Sequence, residues 1–175
     1  MGAYFRRKTK RAVHADTPRP MMRKEEHMFK PTKILVPTDM SSHSDKAVRQ
    51  AIDIAKQFNS ELYLLHVIQD PVQPCTVDYC ISEGLVSQLQ AELLESARKA
   101  IQQQADKFPA AKDVPITTDI KIGTPYDQIL KEELERGIDL VVISSLGTTG
   151  LAKYLIGSVA RHVLLGSTCS VLLVK

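Results

Sequence analysis

Apolar residues recur along this chain with two alternating periods, and the alternation defines its elements. Lys33-Ile34-Leu35-Val36 and Leu62-Tyr63-Leu64-Leu65-His66-Val67-Ile68 are short, near-continuous apolar runs, the pattern of strands covered on both faces. Leu140-Val141-Val142-Ile143 and Val171-Leu172-Leu173-Val174 read the same way. Ile116, Thr118, Ile120 and Ile122 instead alternate with Thr117, Asp119 and Lys121, which suits an edge strand with one wetter face. Between the strands the spacing changes to three and four. Ala47, Val48, Ala51, Ile52 and Ala55 predict a first helix ending near Phe58, and Leu85, Leu89, Leu93, Ala97, Ile101 and Ala105 predict a long second. Tyr126, Ile129, Leu130 and Leu134 form the expected buried stripe of a third, and Val159, Val163 and Leu164 that of a fourth.

Punctuating residues fit these boundaries. Pro37, which cannot donate to a ladder, marks the end of the first strand, and Ser42 with Asp45 resembles a capping box. Thr124-Pro125 reads as an N-cap with proline at the first helical position, Ser158 as another N-cap, and Gly137 and Gly166 as helix ends. Residues 69–83 show no period and contain Pro71 and Pro74, a long loop of the kind that covers a site or moves.

Strands alternating with helices imply an α/β domain over residues 30–175, with a parallel sheet, helices on both faces and right-handed crossovers. Ligands in such sheets sit outside the carboxyl ends of the strands, where the strand order reverses. Thr38-Asp39, Val67 and the stretch from Ile143 to Ser158 all lie at such ends. In that stretch Gly147 and Gly150 permit positive φ or close approach, and Gly157-Ser158 precedes a helix, so bare amides and the helix dipole would favour an anion such as phosphate. Ordinary turn glycines are the competing reading. Neither GxxxxGK[ST] nor GxGxxG occurs.

Charge divides the chain unevenly. Residues 1–30 hold nine Lys or Arg against three acidic residues, while the rest carries a net charge of −3. The first 29 residues, with no apolar period, are expected to form a basic, disordered arm, either an electrostatic tail or an extension without a role. An acidic body argues against a nucleic-acid-binding core. Cys75, Cys80 and Cys169 lack metal or disulfide spacing, and no run approaches the ~20 apolar residues of a membrane span, so a reducing cytoplasm is the expected compartment.

Lys33-Ile34-Leu35-Val36-Pro37-Thr38-Asp39, Leu65-His66-Val67, Gly123-Thr124-Pro125, and Gly147 followed after nine residues by Gly157-Ser158 together resemble the universal stress protein family. The last spacing matches the second half of the nucleotide-binding pattern G-x2-G-x9-G-[ST]; Ser144 stands where its first glycine is usual. The resemblance implies an adenine nucleotide alpha hydrolase-like fold, an open five-stranded sheet of order 3-2-1-4-5, and a homodimer. It also implies ATP or AMP in the crevice, with any magnesium arriving with the nucleotide. By position, Pro37, Thr38, Asp39 and Val67 would hold the adenosine part, and Gly147, Gly157, Ser158 and Val159 the phosphates; Ser144 belongs to the same set.

Two of these residues keep alternatives. Asp39 can accept from ribose hydroxyls or cap the first helix, and Ser144 either crowds the loop with its Cβ or adds a hydroxyl. His66 is expected to be a structural strand-end residue, and Lys153 and Arg161 either touch phosphates or solvate helix faces. With no general base placed to activate water, weak ATPase activity at most is expected. The last strand, an apolar edge, would be satisfied by pairing with the same strand of a second chain. The readings left open are a nucleotide-binding sensor, a dimeric interaction module with an empty crevice, and a slow hydrolase.

Overall fold

The structure, a computed structural model, describes residues 29–69, 83–147 and 156–175. In chain order the elements are β1 (Lys33–Thr38), α1 (Ser42–Phe58), β2 (Glu61–Ile68), α2 (Glu83–Asp106), a 3-10 turn (Pro109–Asp113), β3 (Ile116–Ile122), α3 (Pro125–Arg136), β4 (Leu140–Ser144), α4 (Ser158–Gly166) and β5 (Ser170–Val174). The five strands form one parallel sheet of order β3-β2-β1-β4-β5. The expected sheet and its order are therefore present. Of the expected arm, residues 1–28 lie outside the described residues, as do 70–82 of the second loop and Gly150 and Lys153 of the glycine stretch.

Period-two alternation along the strands sorts the core into two layers. Ile34, Val36, Leu62, Leu64, Leu140 and Val142 face α1 and α2. Leu35, Leu65, Val141 and Ile143 face α3 and α4 through Ile129, Ala160 and Val163. The central strands are thus buried on both sides, which is why they read as unbroken apolar runs.

Three boundary expectations and one of burial need correction. β1 runs through Pro37 to Thr38, because β2 pairs with it as far as Thr38↔His66; on the β4 side pairing stops at Leu35↔Val141, before the proline whose nitrogen has no hydrogen to donate. Ser41, not Ser42, caps α1: it is extended at φ −75°, and its hydroxyl accepts from the Ser44 amide at 3.2 Å. Asp45 instead meets Gln104 and Lys107 of α2 and its connection. Gly157, not Ser158, is the N-cap of α4, since a 2.8 Å bond from its N–H to the Ser145 carbonyl holds it outside the helix. Leu134 and Leu164 are exposed; the buried positions of α3 beside Ile129 are Glu132 and Glu133, and those of α4 are Ala160 and Val163.

Gly137 ends α3 as expected, in the left-handed region at φ 63°, with open space around its α-carbon. Replacing it with alanine therefore adds backbone strain and nothing else. Gly137→Ala is expected to cost about 1 kcal/mol, read from the urea unfolding midpoint with an unchanged slope.

Candidate functional site

The break in β1–β4 pairing opens a crevice of about 580 Å³ at the carboxyl ends of β1, β2 and β4. That volume lies within the range of about 300–1,000 Å³ typical of sites that enclose a small ligand. Its apolar floor includes Leu65, Ile129 and Ile143, and the amino ends of α3 and α4 reach it through Pro125 and Ser158. Pro37, Thr38, Asp39, Val67, Ser144, Gly147, Gly157, Ser158 and Val159, the nine residues named from sequence, all line it. Three segments, the first and last more than a hundred residues apart, meet there.

The β1–α1 turn is built from its own polar side chains. Thr38 Oγ1 accepts from the Met40 amide at 2.9 Å and donates to Gln104 Oε1 at 2.7 Å, so its hydroxyl is spent on the fold. Its carbonyl accepts from His66 Nδ1 at 2.9 Å, which places the proton on that nitrogen and makes His66 the structural strand-end residue expected. Any contribution of Thr38 to a ligand is consequently through its position. Asp39 Oδ1 accepts from the Ser41 amide at 3.1 Å and from the Ser41 hydroxyl at 2.6 Å. The carboxylate thus buttresses the capping residue without capping α1 itself.

Across the crevice, Ser145 is tied to β5 by a 2.7 Å bond from its N–H to the Val174 carbonyl, and its own carbonyl receives Gly157. These two bonds set the amino end of α4 against the end of β4. The first-turn amides of a helix have no acceptor within it, and Ser158, Val159 and Ala160, which open α4, line the crevice. The N-cap, Gly157, has no side chain with which to cap that end. Stacking of Tyr126 on His162, with ring centroids 4.5 Å apart, joins the first turn of α3 to the middle of α4.

Ser144 and Gly147 each take one of the two forms the sequence left open. Among the described residues, left-handed backbone occurs at Met40, Asn59, Gly123 and Gly137, so neither Ser144 nor Gly147 has the positive φ that favours glycine. The Ser144 hydroxyl donates to the Leu146 carbonyl at 2.6 Å and bridges the loop's first turn. At Gly147 the constraint is proximity: a Cβ there would stand 2.7 Å from Asp39 Oδ2. Glycine at 147 is what lets the loop pass beside that carboxylate.

Gln104 went unnoticed in the sequence. It is 1% exposed, and it bonds Thr38, Asp45 and, at 3.3 Å, Ser44. Nothing local signals it, because its partners lie about sixty residues away in the chain.

Residues 30–175 match the profile of the Universal stress protein family. The chain is 35% identical over 158 residues to the universal stress protein MJ0531 of Methanocaldococcus jannaschii, covering 89% of this chain and 87% of that protein. The solved structure of MJ0577, from the same organism, superposes with a TM-score of 0.72 at 27% identity, covering 84% of this chain and 97% of that one. A universal stress protein in complex with cAMP superposes with a TM-score of 0.58 at 25% identity, covering 84% and 98%. A profile match spanning the whole sheet, together with a relative above 30% identity over nearly the same span, makes this chain a member of the universal stress protein family.

Proposed function

We propose that this protein binds an adenine nucleotide, ATP or AMP, in the β1–β4 crevice and acts in the cytoplasm as a homodimeric stress-response sensor. The observation that carries the reading is the clearance beside Asp39. A Cβ at position 147 would fill the space next to an acceptor carboxylate, in the same crevice that the amino end of α4 lines. An acceptor for ribose hydroxyls and amide donors for phosphate oxygens then face one pocket. Asp39 and Val67, with Pro37 and Thr38 shaping the wall, take the adenosine. Gly147, Gly157, Ser158 and Val159 take the phosphates, with Ser144 bracing the loop between them.

The cAMP complex of a related protein supports an adenine ligand of this general shape. Among the described residues no group of three His, Cys, Asp or Glu is placed to hold a metal, so magnesium would enter with the nucleotide. We assign no hydrolytic step: the ionisable side chains among the described lining residues are Asp39 and His66, and both hold the turn as described.

β5 forms one edge of the sheet, with Val171, Leu172 and Leu173 only partly covered. Pairing with a two-fold-related β5 would close that edge.

Mass spectrometry of small molecules released on heating the freshly purified protein tests the ligand. Adenine nucleotide at near one per chain is the expected result. A clean supernatant, with no calorimetric heat on adding ATP, AMP or cAMP, refutes it in favour of an empty interaction module. Sedimentation as a monomer at micromolar concentration refutes the dimer.

A further inference from the structure

We infer that Gln104, on α2, is a positioning residue for the crevice: it holds the β1–α1 turn in the conformation that presents Asp39. This rests on the nucleotide reading of the site. The turn contains an unfavourable residue, Met40, whose φ of 62° is left-handed without being glycine. Such a conformation persists only where surrounding contacts over-determine it. Here the contact is the Met40 N–H donated to Thr38 Oγ1 at 2.9 Å.

A threonine hydroxyl can accept from that amide only with its own proton turned elsewhere, and Gln104 Oε1 takes the proton at 2.7 Å. The same amide group is oriented by its other end. Gln104 Nε2 donates to Asp45 Oδ1 at 2.7 Å and to Ser44 Oγ at 3.3 Å, so its oxygen has to face Thr38. Asp45 is itself engaged by Lys107 at 3.3 Å. The Ser44 hydroxyl donates to the Ser41 carbonyl at 2.9 Å, and Ser41 holds Asp39. Gln104 therefore touches both ends of the turn that carries the carboxylate, from behind, without reaching the crevice itself.

Burial makes the network consequential. Gln104 and Ser44 are 1% and 2% exposed and Thr38 is 7% exposed, so water does not replace a lost partner. Methionine at 104 would keep the length and volume while removing both polar ends. The Thr38 proton would then turn to Ser44 Oγ, 3.0 Å away, leaving Thr38 able to accept from Met40, but the turn would lose its tie to α2 and with it the restraint that holds Met40 in place.

In the full-length protein, Gln104→Met is expected to weaken AMP and ATP binding by about tenfold, the loss of one buried hydrogen-bond anchor. Adding Met40→Gly, which makes the left-handed turn easy without restoring any bond, is expected to recover binding but not the thermal midpoint lost with the network. A merely structural role predicts the reverse: affinity would follow the midpoint, and glycine at 40 would rescue neither. Unchanged affinity in Gln104→Met, or a loss that Met40→Gly leaves in place, overturns the inference. Amide exchange gives a readout without nucleotide: the Met40 N–H is protected in the wild type and exchanges at least tenfold faster in Gln104→Met. Should the wild type bind no adenine nucleotide, the ligand reading falls, and an unchanged Met40 exchange rate would separately sink the role of Gln104.

Discussion

Alanine at position 147 should weaken adenine nucleotide binding by about 10- to 100-fold while leaving the fold intact. The effect comes from one added carbon. An ideal Cβ on Gly147 falls 2.7 Å from Asp39 Oδ2 and 3.7 Å from its Cγ, and the first distance is shorter than real Cβ contacts allow. The carboxylate has to move. It cannot swing freely, because Oδ1 is held by the Ser41 amide and hydroxyl. Either those bonds break or the loop retreats from Asp39, and in both cases the ribose acceptor and the phosphate amides lose their common frame. A hydrogen bond to a charged group is worth about 1.5–3 kcal/mol, and each 1.4 kcal/mol is tenfold in affinity, which sets the expected range.

Two further glycines serve as controls. At Gly157 a Cβ would meet, among the described residues, the Ser145 carbonyl at an ordinary 3.4 Å, and φ is −57°, so Gly157→Ala should weaken affinity less than Gly147→Ala does. Gly137→Ala should lower stability and leave affinity alone, since its strain lies at the far end of α3. Isothermal titration with AMP, beside urea midpoints for the three variants, separates the cases. An unchanged dissociation constant in Gly147→Ala would show that the space beside Asp39 is not where the ligand sits.

These three glycines also mark how far the sequence could be read. That Gly147 would border the crevice was legible from its place after a buried strand and its spacing to Gly157-Ser158. The reason was not, because the contact with Asp39 joins positions over a hundred residues apart and leaves no local trace. The sheet was legible throughout, since strands covered on both faces and helices covered on one must show different periods. Caps were harder. Ser41 and Ser42 are equivalent on paper, and the choice falls to Ser41 because Asp39, two residues back, binds its amide and hydroxyl. In α3 the apolar phase pointed to Leu134, yet the neighbouring face at Glu133 does not meet aliphatic core. It meets the amides and hydroxyls of the α4–β5 connection, a partner supplied by the fold alone.

That buried carboxylate supports the second large effect, on stability. Glu133 is 2% exposed. Its Oε1 accepts from the Thr168 amide at 2.7 Å, the Thr168 hydroxyl at 2.8 Å and the Cys169 amide at 3.0 Å, while Oε2 accepts from the Ser167 hydroxyl at 2.8 Å. Burial pushes its pKa up, but the donors of Ser167, Thr168 and Cys169 together outweigh burial and hold it below the ordinary carboxylate value. Glu133→Ala strands those donors and leaves a cavity, so a loss of about 3–4 kcal/mol is expected. Glu133→Gln keeps the volume and one acceptor oxygen, and its amide can donate to Ser167, so about 1 kcal/mol is expected.

The pH dependence distinguishes charge from shape. A folded pKa below the unfolded one means the contribution is complete above about pH 4.3, the ordinary glutamate value, and is lost as pH falls through the folded value. The wild type should therefore lose stability on acidification across that window, while Glu133→Gln, with nothing to titrate there, should lose less and approach the wild type at the acid end. Urea midpoints at pH 7, 5, 4 and 3 check the convergence. Parallel curves for the two proteins would mean that Glu133 holds the connection into β5 by its shape and not by its charge. The connection itself would then have to be anchored by the Ser145–Val174 bond at the other end of β5, and Glu133→Ala would cost no more than the cavity it leaves, about 2 kcal/mol.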